Sequence, residues 1–151
     1  MKTIAKNKRA SFDYEILEKY EAGIELLGQE VKSIRNGRIS ISGSFAIEKN
    51  SQVFLINAFI PPYQPQNAPK NYDPSRTRKL LMHKSEIKKL IGKTREKGLT
   101  LIPLRVYNKG GKIKIEIATA KSKKKIDKRE KIKEKEIERE IEREVKEKRY
   151  K

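Results

Sequence analysis

Between Gln52 and Pro61 apolar side chains occupy both parities of a two-residue repeat. Val53, Leu55, Asn57 and Phe59 would share one strand face, and Phe54, Ile56, Ala58 and Ile60 the other. Two mostly apolar faces call for cover on both sides, as in a central strand or a barrel wall. The run from Gly43 to Lys49 precedes it across Asn50-Ser51, a compact hairpin signal. A second hairpin is expected where Leu99 to Tyr107 and Lys112 to Ala120 flank Asn108-Lys109-Gly110-Gly111. In its second arm Ile113, Ile115 and Ile117 alternate with Lys112, Lys114 and Glu116, one dry face and one wet. Tyr14 to Leu27 reads as a longer strand that Ala22-Gly23 could bend or bulge, and Lys79 to Met82 as a further short one.

Two segments carry helical spacing instead. Gln29 to Asn36 is short, with Gly37 placed to end it in a left-handed conformation. Ser85 to Lys97 puts Ile87, Leu90 and Ile91 on one face and stops before Gly98. Five prolines between Pro61 and Pro74 make that stretch a loop. Five or six short strands with two inserted helices predict a mainly β fold, a small β-barrel of the OB type. A two-layer α+β sheet is the alternative.

Composition changes near residue 120. Residues 1–120 carry 23 basic and 11 acidic side chains, and residues 121–151 carry 15 and 9. Past Ala120 there is no Gly or Pro, and the apolar residues are Ile126, Ile132, Ile137, Ile141 and Val145 apart from Tyr150. That is too little for a core. The expectation is an RNA-binding domain over 1–120 and a basic C-terminal tail over 121–151, disordered or helical.

The chain has 38 Lys and Arg against 20 acids, a net charge of +18 over 151 residues. Such an excess opposes compaction unless a polyanion neutralises it, and solubility alone needs far less. Nucleic acid is the first candidate and an anionic membrane surface the second. There is no cysteine, hence no thiol nucleophile or Cys-based zinc site. The one histidine, His83, and the absence of clustered ligands leave catalysis and metal binding without support. No enzymatic activity and no cofactor are expected. A basic N-terminus without an apolar run, and no stretch near 20 apolar residues, predict a cytoplasmic protein with no membrane partner.

Several segments, in order and across nearly the whole chain, resemble the SsrA-binding (small protein B) family. They are Tyr20-Glu21-Ala22-Gly23-Ile24, the run from Gly28 to Gly37, Ile60-Pro61-Pro62-Tyr63, Asp73 to Lys84, Lys97 to Leu104, and Ala120 to Arg129. The resemblance implies an OB-like barrel whose surface holds the tRNA-like domain of transfer-messenger RNA. It also implies a tail that enters the vacant mRNA channel of a stalled ribosome, against small-subunit rRNA. Elongation factor Tu would accompany the charged RNA, so that the nascent peptide is tagged and released.

Matching motif positions place RNA contacts at Glu30, Lys32 and Arg35 on the first helix, and at Leu81 and His83 before the second. Lys121, Lys123 and Lys124 would add contacts at the tail junction. Lys32 and Arg35 are i, i+3 neighbours able to grip one stretch of phosphate. Glu30 would accept from a base amino group or a 2′-hydroxyl, or orient a neighbouring arginine. Its alternative is a first-turn acid favoured by the helix dipole. His83 could stack on a base, donate to RNA or cap the following helix. The tail departs from the family pattern at Ser122, where Gly is usual, and at Ile126, where a ring is usual.

The tail has a reading of its own. Wound as a helix, Lys121, Lys124, Lys128, Lys131, Lys135, Arg139, Arg143, Lys146 and Arg149 fall within about 120° of arc. That face suits a phosphate backbone, and the resemblance implies that Asp127, Lys128, Arg129, Lys131, Lys135, Arg139 and Arg143 are the ribosome-binding set. Ile126, Ile137, Ile141 and Val145 lie opposite among glutamates, too thin a stripe for a coiled coil. Alone, the tail is expected to be disordered or frayed and to order on RNA. Two other classes share the charge: a general OB-type RNA chaperone, which would stack bases on paired exposed aromatics, and a structural ribosomal protein.

Overall fold

The computed structural model describes residues 2–123 and 128–149, the side chains of 67, 96–97, 128–134 and 146–149 excepted. Seven strands are present: β1 Lys2–Lys6, β2 Tyr14–Ile24, β3 Phe45–Lys49, β4 Gln52–Ile56, β5 Arg78–Leu81, β6 Thr100–Lys109 and β7 Lys112–Ser122. The helices are α1 Ala10–Asp13, α2 Gly28–Arg35, α3 Lys84–Lys97 and α4 Lys128–Arg149. All strand pairs are antiparallel, in the order β1-β6-β3-β4-β5-β2-β7, and β7 pairs back onto β6. Six strands therefore close on themselves, with β1 laid along the outer half of β6. Closure removes the free edges an open sheet would expose. This is the OB-like arrangement expected from the sequence, not the two-layer alternative.

The turns follow from local chemistry. Asn50 and Ser51 take φ of 52° and 61°, the two left-handed positions of a tight hairpin. Gly110 and Gly111 do the same at 58° and 76°, so the second loop has two residues rather than four. The end of α2 is a Schellman motif: Gly37 N–H donates to the Ile34 carbonyl at 2.8 Å and Arg38 N–H to Ser33 at 2.9 Å, with Gly37 at φ 75°. Gly23 is not a bulge. It lies opposite Leu81 in the β2–β5 pair, where an added Cβ would sit 3.3 Å from Leu81 Cβ. The register shift in β2 falls earlier, between Ile16 and Lys19.

The core fills the ring. Val53, Leu55, Leu80, Val106, Ile115 and Ile117 point inward, and Ile34 of α2 and Leu90 of α3 join them fully buried. Each such side chain contributes about 1.5–3 kcal/mol. One expectation fails for a local reason. Asn57 adopts φ 63°, which ends β4 and reverses the alternation after it. Ala58 and Ile60 therefore enter the core, whereas Phe59 is exposed. The elements β1 and α1 were not expected from the sequence at all.

The tail forms a helix, α4, one of the two states expected of it, and its apolar stripe lies on the outer face of the β3–β4 hairpin. Ile141 is buried against Ile47 and Ile56, with Phe45, Phe54, Ile137 and Val145 half-buried around them. Lys49 Nζ meets Glu142 at 2.6 Å and is raised above the usual lysine range by that contact. Both faces of β4 are apolar because one lines the ring and the other lies under α4. Lys124, Ile126 and Asp127 fall outside the described residues, as do the side chains of Lys128, Arg129 and Lys131.

The main core contains no residue of α4 among those whose side chains are described, and β7 runs to Ser122, two residues past the expected boundary. A chain ending at Lys123 should therefore unfold in one cooperative urea transition. Its loss should stay within a few kcal/mol, mostly from uncovering Ile47 and Ile56. A broad or absent transition would show that the body depends on α4.

Candidate nucleic-acid interface

Helix α2 is held by a buried charge network. Glu30 and Arg78 are both out of water, with Arg78 Nη2 at 2.6 Å and Nε at 2.8 Å from Glu30 Oε2. Arg78 Nη1 donates to the carbonyls of Ala58 at 2.8 Å and Arg76 at 3.0 Å, and Nη2 to that of Pro74 at 2.9 Å. A guanidinium left short of partners here would cost several kcal/mol, so saturating its donors is what makes the burial tolerable. Glu30 Oε1 accepts from the Leu27 amide at 2.8 Å, the reciprocal half of a capping box, and from Arg76 Nη2. Tyr72 donates its hydroxyl to the Ile60 carbonyl at 2.7 Å, with the oxygen 3.1 Å from Glu30 Oε2. Ser33 Oγ donates to the Pro61 carbonyl at 2.6 Å. Together these contacts tie residues 58–78 to α2.

Glu30 was expected to accept from RNA or to orient a neighbouring arginine, and its contacts here are of the second kind. Its side chain is wholly buried and both oxygens already accept from the protein. Of the roles the sequence left open, it fills orientation of neighbouring arginines, together with capping of its own helix. Burial alone would raise its carboxyl, but Arg76, the Leu27 amide and Arg78 outweigh that and hold it below the usual range. Burial and the adjacent carboxylate push the Tyr72 phenol up. What reaches solvent is the far edge of Arg76, whose side chain is 30% exposed. Sequence reasoning missed Arg76, Tyr72 and Arg78. The available signal was Arg76-Thr77-Arg78, two arginines leading into the apolar Leu80-Leu81, whose burial demands an acid within reach.

The other helix positions face outward. Lys32 is exposed with its ammonium 5.8 Å from the Tyr63 ring centroid, a cation held over an aromatic face. Arg35 is exposed and donates once, at 3.0 Å, to the Gly111 carbonyl in the β6–β7 turn. Leu81 is half-exposed opposite Gly23, and Leu27 is similarly exposed at the start of α2. His83 occupies the N-cap position of α3 by its backbone, but its exposed imidazole makes no capping bond. Lys32, Arg35, Arg76, Leu81 and His83 thus border one end of β2.

Lys121 and Lys123 do not join them. Lys121 pairs across from Glu15 while Leu81 pairs across from Gly23, which separates the two groups by about 26 Å along β2 at roughly 3.3 Å per residue. Lys123 Nζ donates to the Ser11 carbonyl at 2.8 Å, and its amide to Asp13 at 3.1 Å, so it fastens the end of β7 to α1. Of the tail set with described side chains, Lys135, Arg139 and Arg143 are exposed.

A model of the SmpB protein family matches residues 4–147. The chain belongs to that family. Its relatives include the SsrA-binding protein of Carboxydothermus hydrogenoformans, 57% identical over 131 residues, covering 87% of each chain. That of a Sulfurihydrogenibium species is 55% identical over 132 residues, covering 87% of this chain and 86% of the relative. Among solved structures, one described as tmRNA-SmpB on a journey to the centre of the bacterial ribosome superposes with a TM-score of 0.66 at 47% identity. It covers 82% of this chain and 87% of that one. The SmpB family membership accounts for a basic, OB-like body.

Glu30→Gln should leave Arg78 buried without its counter-charge and cost about 3–5 kcal/mol in urea unfolding at neutral pH. Because the folded carboxyl is lowered, its stabilisation is full above the unfolded value near 4.3 and fades as pH falls through the lowered one. The gap between wild type and variant should therefore narrow only under acid conditions. An equal gap at all pH values would remove the charge from the account.

Proposed function

We propose that this chain binds transfer-messenger RNA and acts with it on stalled ribosomes in trans-translation, the rescue that tags the unfinished peptide. The observation that carries this is the likeness over most of the chain to an SmpB solved with transfer-messenger RNA in the ribosome. The net charge of +18 supplies the counterion-release term such a partner requires.

On this reading the end of β2 bordered by α2 takes the tRNA-like domain. Lys32 and Arg35 set phosphate register, the outer edge of Arg76 offers a fixed guanidinium, and Leu81 and His83 supply apolar and polar contact. Glu30 acts through the arginines it holds. Lys121 and Lys123 are a second contact at the other end of the same strand, with Lys124 beside them in sequence. The tail takes the empty mRNA channel, its row from Lys128 and Arg129 through Lys131, Lys135, Arg139 and Arg143 tracking small-subunit rRNA beyond Asp127. Elongation factor Tu arrives with the charged RNA. No helix of the described residues is long and apolar enough to cross a membrane.

The direct test is binding of transfer-messenger RNA against bulk tRNA at stated salt. Lys32→Ala and Arg35→Ala should each weaken binding and lower the salt slope by about one unit, since each removes one phosphate contact. An unchanged slope would move these side chains off the RNA. Deleting residues 124–151 should spare binding but abolish tagging in a reconstituted system programmed with an mRNA lacking a stop codon. Normal tagging by the shortened chain would refute the tail's role.

A further inference from the structure

The stretch of β2 between its two cationic clusters is flanked by α3. β5 passes through Met82 and His83 directly into this helix, so α3 starts where Leu81 pairs across from Gly23. It ends two residues short of β6, whose first residue, Thr100, pairs with Ala120, itself opposite Ile16. Near that end Lys93 is ion-paired to Glu18 of β2. The 14 residues of α3 span about 21 Å, close to the 23 Å or so from Gly23 to Ile16 at about 3.3 Å per strand residue. The helix therefore runs alongside β2 from the Leu81–His83 end to the Lys121 end.

Its two sides differ in kind. Ile87 and Leu90 belong to the main core, with Ile91 packed against it. The other side is cationic. Lys84, Lys88 and Arg95, at i, i+4 and i+11, fall within about 40° of arc, and all three are exposed. They cover about 16 Å of helix axis. Lys89 is exposed beside them. Lys84, Lys88 and Lys89 pair with no acid among the described residues, and Arg95 reaches Glu48 only at 3.6 Å with its side chain 75% exposed. Among the described side chains of α3 the sole acid, Glu86, is half-buried. Solubility is served by interspersed signs, so a row of one sign is explained by what it faces. Gly92 sits within this face, between Lys88 and Lys89 around the helix. A Cβ there would meet nothing within 4 Å and the backbone is helical, so neither packing nor conformation calls for glycine. Alanine would favour the helix more. What glycine supplies is a low floor on which a partner's backbone can come close.

We propose that the outer face of α3 is a third RNA-binding surface, seating a paired segment of transfer-messenger RNA by its phosphate backbone. It joins the clusters at the two ends of β2 into one cationic track. This rests on the reading of transfer-messenger RNA as the partner. The occupant follows from the chemistry. Cations spaced along a straight axis match a row of phosphates, and α3 carries no aromatic residue on which an unpaired base could stack. Such contacts read no base, so the face adds affinity and register rather than sequence selectivity.

The test is binding by the full chain over a series of salt concentrations, with two probes: transfer-messenger RNA and a plain RNA duplex of about 20 base pairs. Lys84→Gln, Lys88→Gln and Lys89→Gln together should lower the salt slope by about two to three units and weaken binding of both probes by about tenfold or more. Gly92→Gln places a side chain in open space on the same face. It should weaken binding by about threefold or more while the urea midpoint holds or rises. Wild-type affinity in either variant overturns the proposal; if tagging nonetheless falls, the face serves ribosomal RNA instead. Failure of the wider reading looks different. The unaltered chain would then show no preference for transfer-messenger RNA over bulk tRNA, while the slope on the plain duplex would still decide α3.

Discussion

One carboxylate and one guanidinium, 48 positions apart and both out of water, constrain the arrangement of everything on the side proposed to face RNA. Each would be expelled or neutralised if buried alone. Burial therefore forces Glu30 of α2 and Arg78 of β5 into one geometry, and with them the loop between β4 and β5. Arginine suits the position because its planar fork serves a carboxylate and three carbonyls at once, whereas a lysine ammonium has three donors on one nitrogen. The carboxylate has capacity left after Arg78, and Arg76 takes it. An interior salt bridge is thus carried to the surface as a cation of fixed position.

The strands, both hairpins and two helices were legible in the sequence because each rests on local chemistry. Asn50-Ser51 and Gly110-Gly111 tolerate left-handed backbone, Gly37 and Gly98 end helices, and alternation marks the dry face of β7. What was illegible depends on distant partners. Glu30 reads as an exposed first-turn acid until residues 76–78 are brought over it. The apolar stripe of α4 looks too thin for any use until Ile47 and Ile56 are placed beneath it. The inversion of Phe59 against Ala58 and Ile60 turns on the φ of Asn57, which a two-residue repeat cannot anticipate. β1 is short and half basic and earns its place only by pairing with β6.

Of the eleven acids of the body five, Glu30 among them, meet a cation among the described residues. Glu18 meets Lys93, Glu21 meets Lys109 and the Tyr107 hydroxyl, Glu48 meets Arg95, and Glu116 meets Arg105. Such surface pairs contribute little stability one by one. Their effect is electrostatic: an acid tied to a neighbouring cation projects less repulsion toward phosphate. Hydrogen bonds from Tyr107 and Lys109 accordingly hold the Glu21 carboxyl below its usual range, so it stays ionised and paired. Within the body, local excesses of basic residues lie over residues 2–9, with four basic side chains and no acid, and along α3, with six against two.

The separation of the two body clusters bears on the kind of RNA they suit. They stand at opposite ends of β2, about 26 Å apart measured along the strand. β2 is paired along most of its length with β7, so this spacing is rigid. A chaperone tracking an unstructured strand would need bases stacked along that path. Yet the two most exposed phenylalanines among the described residues, Phe12 and Phe59, lie singly, one on α1 and one in the loop after β4. An RNA that holds its own shape can bridge two fixed cationic ends without stacking between them. The geometry of the body therefore favours a folded, backbone-read partner on physical grounds that do not depend on the family it belongs to.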